Sequence, residues 1–187
     1  MKPEDVLKII ADNRGTAICI PTMTTSPAWR TIAPDDLSVG CVGFMGGASS
    51  LGLGLALGSP DRRVIVFDGD GSLCMQLGSL PTIAGVAPRN FTHLLFRNNV
   101  YHTSGAQGTP GGEGLDWVMM AKGAGYRVAF AVRTLDEFKQ RLPAILNGEG
   151  PVFAELHTGL SEKTPMTDRG GRSFPDQVET LRSRLQA

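Results

Sequence analysis

A short acidic segment ends an apolar run near the middle of the chain. Residues 63–67 (RVIVF) are largely apolar, as expected of a strand covered on both faces, and residues 68–72 (DGDGS) follow at once. Burying an isolated carboxylate at the end of such a strand costs free energy, so Asp68 and Asp70 are each expected to meet a positive partner. The nature of that partner decides what the segment does.

Three interpretations of this segment were compared. An EF-hand loop beginning at Asp68 would need glycine at its sixth position and glutamate at its twelfth, where the chain has Leu73 and Ser79, so it is excluded. A tight turn between a strand and a helix is a second interpretation, since Asp and Gly are common in turns. In the third, Asp70 binds Mg²⁺ together with an amide oxygen of Asn98, because Mg²⁺ held against a diphosphate takes hard oxygen ligands, few of them from protein.

The elements that would position these residues alternate along the chain. Apolar runs and helical periodicity predict a fold of the α/β class: a doubly wound parallel sheet with helices on both faces, in a single domain over residues 1–187. The predicted helices are 3–13, 46–58, 72–83, 116–122, 134–146 and 176–185, and the predicted strands are 16–20, 63–67, 91–96, 127–132 and 152–156. Residues 21–27 (PTMTTSP) are predicted to be a loop, and residues 159–175 an irregular stretch. Because ligands bind at the carboxyl ends of parallel strands, residues 68–72 and residues 97–107 (RNNVYHTSGAQ) should meet at one rim.

Composition excludes several classes of function. Lys plus Arg equals Asp plus Glu at 18 each, and no basic run is present, which argues against nucleic acid or an anionic membrane as partner. The three cysteines are scattered without a CxxC motif, which favours a cytoplasmic protein and gives no support for a zinc or iron–sulfur site.

One uncharged stretch, residues 39–58, has about the length of a membrane helix but is rich in glycine and serine. Gly46, Ser50, Gly54 and Gly58 recur every four residues and form a small-residue stripe on one helical face. Such a stripe lets another backbone approach closely, either in the core or in a subunit interface. A buried helix is therefore predicted rather than a membrane span.

The motif residues together resemble a known family. The Gly-Asp-Gly motif at 69–71, its spacing to Asn98 and Asn99, and Tyr101 beyond them resemble the thiamine diphosphate motif of thiamine-dependent decarboxylases. Residues 44–85, with NNVYHTSGAQ at 98–107, are similar to the cofactor half of phosphonopyruvate and sulfopyruvate decarboxylases, and the likeness runs from about residue 16 to about residue 175. The resemblance implies the thiamine diphosphate-binding fold of the diphosphate (PP) type, with thiamine diphosphate and Mg²⁺ as cofactors.

The resemblance also assigns roles to individual residues. Mg²⁺ would be bound by the side chains of Asp70 and Asn98 and by the carbonyl of Val100. Met45 matches the bulky residue that bends the cofactor, and His102 on the reactive rim is the candidate for proton transfer. The residues expected to contact the cofactor are Thr24, Gly43, Met45, Gly69, Asp70, Gly71, Ser72, Asn98 and Tyr101.

Two departures from the family pattern leave the substrate open. Residues 44–47 read Phe-Met-Gly-Gly where the family often has Ser-Met-Gly-His, and residues 97–99 read Arg-Asn-Asn where it tends to have Asp-Asn-Gly. Arg97 could bind an anionic substrate or could be structural. His93, in the middle of a predicted strand, is expected to be a core residue, whereas His157 ends a strand and could line the mouth of the site.

The resemblance implies decarboxylation of a small anionic 2-oxo acid, sulfopyruvate or phosphonopyruvate, with release of CO₂ and an aldehyde. A thiamine-dependent carboligase, a subunit of a 2-oxo acid oxidoreductase and an inactive cofactor-binding regulatory subunit are the alternatives. The oxidoreductases typically carry iron–sulfur cysteines, and three scattered cysteines cannot supply four thiolate ligands.

A partner is expected because the family's activating glutamate belongs to a separate pyrimidine-binding domain. Glu113, Glu149 and Glu162 lie in predicted loops, and Glu155 occupies the wrong part of the motif order. The chain begins almost at the cofactor half, so it is expected to be the β subunit of a split enzyme. An α subunit would supply the pyrimidine-binding domain and the glutamate, in an α2β2 assembly.

Overall fold

A computed structural model describes residues 1–161 and 172–186 of the chain. Its helices are α1 (Pro3–Asn13), α2 (Thr25–Ile32), α3 (Ala48–Gly58), α4 (Asp70–Cys74), α5 (Ser79–Val86), α6 (Trp117–Ala124), α7 (Leu135–Asn147) and α8 (Phe174–Gln186). Its strands are β1 (Ile18–Pro21), β2 (Val64–Gly69), β3 (Phe91–Arg97), β4 (Val100–Tyr101), β5 (Gln107–Gly108), β6 (Val128–Val132) and β7 (Val152–His157). Most of the stretch predicted to be irregular, and Glu162 within it, lies outside the described residues.

Five of the strands form one parallel sheet in the order β1-β2-β3-β7-β6. Gly69 at the end of β2 pairs with Phe96, and Arg97 at the end of β3 pairs with His157 of β7. The predicted parallel sheet is therefore confirmed, and the carboxyl ends of its strands share one edge.

Helices cover both faces of this sheet, as predicted for a doubly wound fold. On one face, α3, α5, α6 and α8 pack over a core that includes Val66, Phe91 and Phe153. On the other face, α1, α2 and α7 enclose a second core that includes Trp29 and Phe67. Continuous apolar strands are required because each strand contributes alternate side chains to the two cores.

The predicted loop at residues 21–27 is wrong in its second half, where α2 begins at Thr25. Pro27 stands in the first turn, a position that proline tolerates because its missing N–H is not needed there. Trp29 is 1% exposed and packs edge-on against Phe67 with 4.7 Å between ring centroids. This tertiary contact holds the segment helical despite its turn-like composition.

The helix predicted at 72–83 is divided into α4 and α5. Between them, tight turns are closed by three-residue hydrogen bonds, from Gln76 N–H to the Leu73 carbonyl at 3.0 Å and from Ser79 N–H to the Gln76 carbonyl at 3.0 Å. The Ser79 hydroxyl bonds to that of Ser49 on α3 at 3.0 Å, which fixes where α5 begins. Because α4 has only five residues, its N-terminus carries little of the helix dipole that could bind an anion.

The glycine-rich stretch forms an 11-residue helix, α3, that starts at Ala48 because Gly46 has a φ of +83°. The close approach to the sheet occurs at Gly52, where a Cβ would lie 2.5 Å from Val66 Cγ2. Three of the four residues of the predicted stripe, Ser50, Gly54 and Gly58, are exposed on α3, and a Cβ at Gly54 or Gly58 would have no atom within 4 Å. Gly46 precedes the helix and is buried. The part of the stripe on α3 is therefore not in the core of this chain. Within residues 1–161 and 172–186, no helix combines the length and hydrophobicity needed to cross a bilayer.

Candidate active site

A small cavity of about 40 Å³ lies at the carboxyl ends of β1, β2 and β3. The predicted site residues that line it are Thr24, Met45, Gly69, Asp70, Gly71, Ser72, Asn98, Val100, Tyr101 and His102. Gly43 does not line it, but its N–H contacts the sulfur of Met23, a lining residue, at 3.5 Å. Concavities of about 390 and 680 Å³ lie elsewhere on the molecule, and neither contains any of these residues. The predicted site residues other than Gly43 therefore all lie around one cavity.

Asp70 is the central polar group of the cavity and is 2% exposed. Its Oδ2 accepts hydrogen bonds from the N–H groups of Asn98 at 3.1 Å and Asn99 at 2.6 Å, and its Oδ1 accepts one from Gly71 at 2.8 Å. Burial raises the pKa of Asp70, while these three N–H groups and the positive charge of Arg97 act in the opposite direction. The carboxylate is therefore oriented by backbone donors and has no direct ion-pair partner among the salt bridges of the described residues.

The turn that binds Asp70 is built from the Asn-Asn pair after β3. Asn98 Oδ1 accepts a hydrogen bond from Val100 N–H at 3.0 Å, which holds the amide against its own turn. Asn99 has a φ of +61°, a left-handed conformation that asparagine tolerates better than most residues other than glycine. That conformation lets consecutive N–H groups converge on one carboxylate oxygen.

Glycine is required at position 71 because neighbouring side chains fill the space that a Cβ would occupy. A Cβ at this position would lie 2.5 Å from Tyr101 Cε1 and 3.2 Å from Thr109 Cγ2. At Gly69 a Cβ would meet only Ser72 Cβ at 3.9 Å. Gly69 therefore has open space where its Cβ would be, whereas the corresponding space at Gly71 is filled by Tyr101 and Thr109.

Ser72 joins the cavity to the turn that carries Met45. Its hydroxyl accepts a hydrogen bond from Gly46 N–H at 2.9 Å. Phe44, next to Met45, is 65% exposed, and Val42 is 53% exposed, so this turn presents apolar surface beside the cavity.

Sequence analysis missed several residues of the first loop. Thr22 is 2% exposed, and its hydroxyl donates to the Phe67 carbonyl at 2.8 Å, tying the end of β1 to β2. The Thr25 hydroxyl donates to the Thr22 carbonyl at 2.8 Å and closes the turn. Met23, Phe96 and Thr103 also line the cavity. The run of threonines after β1 was the available signal, but only Thr24 within it was predicted to contact the cofactor, and the segment as a whole was interpreted as a loop.

His102 and Tyr101 form the outer wall of the cavity. The Nδ1 atom of His102 is buried without a hydrogen-bond partner. Burial, followed by the nearby groups Cys74 and Asp70, raises the pKa of Tyr101, which keeps its hydroxyl protonated at neutral pH. His102 therefore lines the cavity with one ring nitrogen that makes no hydrogen bond within the described residues.

Asp68, the other carboxylate of the acidic segment, belongs to the core. Its Oδ2 lies 3.2 Å from His93 Nε2, and His93 Nδ1 lies 3.2 Å from the Tyr126 hydroxyl. Asp68 and His93 are fully buried, so the interpretation of His93 as a satisfied core residue is confirmed. Burial, then the charge of Asp68, raises the pKa of Tyr126.

Arg97 and His157 occupy the rim beside the cavity. Arg97 is 8% exposed, and its Nη1 lies 2.6 Å from Glu155 Oε1. His157 Nε2 lies 3.0 Å from the same oxygen, and its ring lies 3.3 Å from Arg133 Nη1. Burial lowers the pKa of His157, partly offset by the Glu155 carboxylate. Neither Arg97 nor His157 lines the cavity.

The donor set of the cavity suits a hard cation that is shared with a ligand. Among the described residues, no group of three His, Cys, Asp or Glu side chains could hold a metal ion. The cavity offers one carboxylate, the Asn98 amide oxygen and backbone carbonyls. Mg²⁺ is commonly held by one or two carboxylates together with phosphate oxygens and water, so these residues fit Mg²⁺ bound to a diphosphate.

Comparison with known proteins identifies relatives of this chain. It is 38% identical over 143 residues to phosphonopyruvate decarboxylase of Streptomyces viridochromogenes, a match that covers 76% of this chain and 36% of the relative. It is 36% identical over 147 residues to sulfopyruvate decarboxylase subunit beta of Methanocaldococcus jannaschii, covering 78% and 77% of the two chains. The chain thus spans about a third of the phosphonopyruvate decarboxylase and most of the beta subunit.

Solved structures and a family profile agree on the fold. The 4-hydroxybenzoylformate decarboxylase of Rhodococcus jostii, which is thiamine diphosphate-dependent, superposes with a TM-score of 0.69 at 21% identity over 87% of this chain and 33% of that chain. Residues 19–156 match the profile of the thiamine pyrophosphate enzyme C-terminal TPP-binding domain. This range contains every residue of the cavity. The chain therefore belongs to the thiamine pyrophosphate enzymes, with their C-terminal TPP-binding domain as its fold.

Proposed function

We propose that this chain is the β subunit of a split decarboxylase that uses thiamine diphosphate and Mg²⁺ and acts on sulfopyruvate or phosphonopyruvate. The names of its relatives support this substrate class, and the relatives from Methanocaldococcus jannaschii and Methanothermobacter thermautotrophicus are beta subunits. The cytoplasmic location expected from the cysteines is part of the same proposal.

The observation that carries the proposal is the fixed geometry of Asp70. A carboxylate that is 2% exposed and bonded by the N–H groups of Asn98 and Asn99 cannot rotate freely, so it presents its remaining lone pairs in one direction. In our assignment, Asp70, Asn98 and the Val100 carbonyl hold Mg²⁺. Thr24, Gly69, Gly71 and Ser72 contact the diphosphate, and Gly43, Met45 and Tyr101 contact the rings.

Decarboxylation of a 2-oxo acid consumes one proton, because the carbon that loses CO₂ must gain hydrogen to become an aldehyde. When bound, thiamine diphosphate supplies the electron sink for that carbon. His102 lines the cavity with a buried nitrogen that lacks a partner, so we assign it the handling of this proton. The cavity walls formed by Met45 and Tyr101 would exclude water from the reacting carbon.

A second polypeptide is part of the proposal because the cavity is too small by itself. About 40 Å³ accommodates a few water molecules, not a cofactor. Apolar side chains are exposed around its mouth, including Phe44 at 65% and Met75 at 57%, and the small-residue stripe of α3 also faces outward. We propose that an α subunit with a pyrimidine-binding domain covers this surface, supplies the activating glutamate and assembles as α2β2.

The metal assignment is tested by calorimetry on the chain with its partner. Asp70→Ala and Asn98→Ala should abolish Mg²⁺-dependent binding of thiamine diphosphate while the thermal transition is retained. Asp61→Ala, an exposed aspartate away from the cavity, is the matched control and should bind normally. Unchanged affinity in both cavity variants would refute the assignment.

The reaction is tested separately by following CO₂ release from sulfopyruvate and phosphonopyruvate, with the chain alone and with a candidate α subunit. Activity only after mixing is expected. Full activity of the lone chain would refute the split enzyme. Formation of carbon–carbon coupled products in place of the aldehyde would refute decarboxylation as the main reaction.

A further inference from the structure

The Arg97 side chain contacts both ends of the segment that carries the proposed metal ligands. Its Nε donates to Asn99 Oδ1 at 2.8 Å, and its Nη2 donates to the carbonyls of Gly112 at 3.1 Å and Glu113 at 2.9 Å. The segment between these contacts, residues 98–113, contains Asn98, Val100, Tyr101 and His102. One side chain thus closes the loop at its beginning and at its end.

The charge of Arg97 is balanced from the neighbouring strand. Arg97 Nη1 lies 2.6 Å from Glu155 Oε1, and the two side chains are 8% and 4% exposed. Four of the five guanidinium N–H groups therefore donate hydrogen bonds, to Asn99, to Glu155 and to the carbonyls of residues 112 and 113. A planar guanidinium can make these bonds at once because its donors form a rigid fork, whereas the single ammonium of lysine cannot.

The loop that Arg97 closes contacts Asp70 through Asn99. Asn99, whose side chain is held by Arg97, donates its N–H to Asp70 Oδ2 at 2.6 Å. The Asn99 carbonyl accepts from Thr109 N–H at 2.9 Å, and Thr109 in turn lies against Gly71. A shift of Asn99 would therefore move the donor that orients the carboxylate and the residues that pack on the Gly-Asp-Gly turn.

We propose that Arg97 is a positioning residue that holds residues 98–113, and with them Asn98 and Val100, in the geometry that binds the metal and diphosphate. This inference rests on the proposed function for the identity of the ligand. It also excludes Arg97 from binding the anionic group of the substrate, because an incoming anion would have to displace Glu155 and two backbone carbonyls. The acceptor for Arg97 Nε is the side-chain oxygen of Asn99, so the contact at the start of the loop depends on both side chains.

Two variants separate positioning from simple stabilisation. Arg97→Lys keeps a positive charge beside Glu155 but cannot reach residues 99 and 112–113 together. The double variant Arg97→Met/Glu155→Met removes both buried charges, so no carboxylate is left unpaired and the fold should be retained. Arg133→Met is the matched control, because Arg133 contacts His157 on the same rim without touching the loop.

The first measurement is amide hydrogen exchange of the ligand-free chain. In both variants, amides within residues 98–113, including those of Asn99 and Thr109, should exchange at least tenfold faster, while the strands keep their protection. The second measurement is a calorimetric Mg²⁺ titration of the assembled enzyme in the presence of thiamine diphosphate. Partners of metal ligands typically contribute about 10–100-fold to metal affinity, so Mg²⁺ should bind at least tenfold more weakly to both variants. Arg133→Met should bind Mg²⁺ as tightly as the parent.

Several results would overturn the inference. Faster exchange spread evenly over the whole chain in the double variant would show that Arg97 only stabilises the fold. A raised KM for the anionic substrate with unchanged Mg²⁺ affinity and unchanged loop protection would make Arg97 a substrate-binding residue instead. If the unmodified protein binds neither Mg²⁺ nor thiamine diphosphate, the proposed function fails, and the exchange measurement still decides whether Arg97 holds the loop.

Discussion

Replacing Gly71 by alanine tests whether the packing of Tyr101 determines the shape of the site. The added Cβ would lie 2.5 Å from Tyr101 Cε1, 2.7 Å from Tyr101 Cδ1 and 3.2 Å from Thr109 Cγ2. Real Cβ atoms essentially never approach another heavy atom to 2.5 Å, so either the ring or the turn must move. Tyr101 is only half-buried, so its ring can swing outward and take β4 with it.

Two opposing contributions set the stability change. Overpacking typically costs about 1–3 kcal/mol. Alanine instead of glycine inside α4 favours the helix by about 1 kcal/mol. The net destabilisation is therefore about 0–2 kcal/mol, which corresponds to a fall in Tm of at most about 8 °C for a chain of this size. Because the ring relieves the clash by moving, the larger effect should be on ligand binding, about tenfold or more in Mg²⁺-dependent affinity for thiamine diphosphate.

Gly69→Ala provides the matched control because it makes the same chemical change two residues away. Its Cβ would meet only Ser72 Cβ at 3.9 Å, and its φ of −101° suits alanine, so Tm without ligand should stay within about 1–2 °C of the parent. Thermal unfolding measures the first quantity and calorimetry the second. The argument would be refuted if Gly71→Ala bound the cofactor as tightly as the parent, or if Gly69→Ala were the less stable variant without ligand.

Three further predictions concern other parts of the molecule. His93→Phe should destabilise the fold by about 2–3 kcal/mol, because Asp68 Oδ2 would lose its side-chain partner in the core and only Oδ1 would keep one, the Gly69 N–H. Tyr126→Phe removes only one hydrogen bond and should cost about 1 kcal/mol. Denaturant unfolding measures both losses, and equal losses would contradict the contact between His93 and Asp68. Met45→Ala should lower turnover more than cofactor affinity, because displacement of the reacting groups by about 1 Å can lower the rate on the order of a hundredfold. A turnover within a factor of about two of the parent would show that Met45 is an ordinary packing residue. The N–H groups of Arg133 and Thr134 lower the pKa of Glu137, so its stabilising contribution is present above the unfolded pKa of 4.5 and is lost as pH falls through the lower folded pKa. Glu137→Gln should therefore flatten the acid limb of stability against pH, and an unchanged acid limb would contradict this.

The sequence predicts those features of the fold that depend on local pattern. Continuous apolar runs identify the strands of the sheet, and Asp70 and Asn98 are recognisable because each lies within three residues of the end of such a run. The helix α2 is not predictable in this way, since residues 21–27 have the composition of a turn and become helical where Trp29 packs on Phe67. The break between α4 and α5 likewise depends on the contact between Ser79 and Ser49 on another helix.

The role of Arg97 could not be read from its neighbours in the chain. Its partners, Glu155 and the carbonyls of Gly112 and Glu113, lie in other elements, and only the register of β3 against β7 brings the two charges together. Sequence reasoning left it open whether Arg97 binds an anion or serves the structure, because an arginine on a rim has the same local signature in both cases. The exposure of 8% and the four hydrogen bonds are what separate the two.

The two carboxylates of the acidic segment lie two positions apart and have different surroundings. Asp68 is still within β2, so its side chain enters the core and meets His93, an ionisable partner that satisfies it. Asp70 lies just past the strand, where the partners within reach are backbone N–H groups, which orient the carboxylate without supplying a full positive charge. Burial raises the pKa of Asp70, the backbone N–H groups lower it in part, and a bound cation would lower it further by stabilising the ionised form. Asp68 therefore has an ionisable side-chain partner within the fold, whereas the hydrogen-bond partners of Asp70 are backbone N–H groups, and for that reason we assign the bound cation to Asp70.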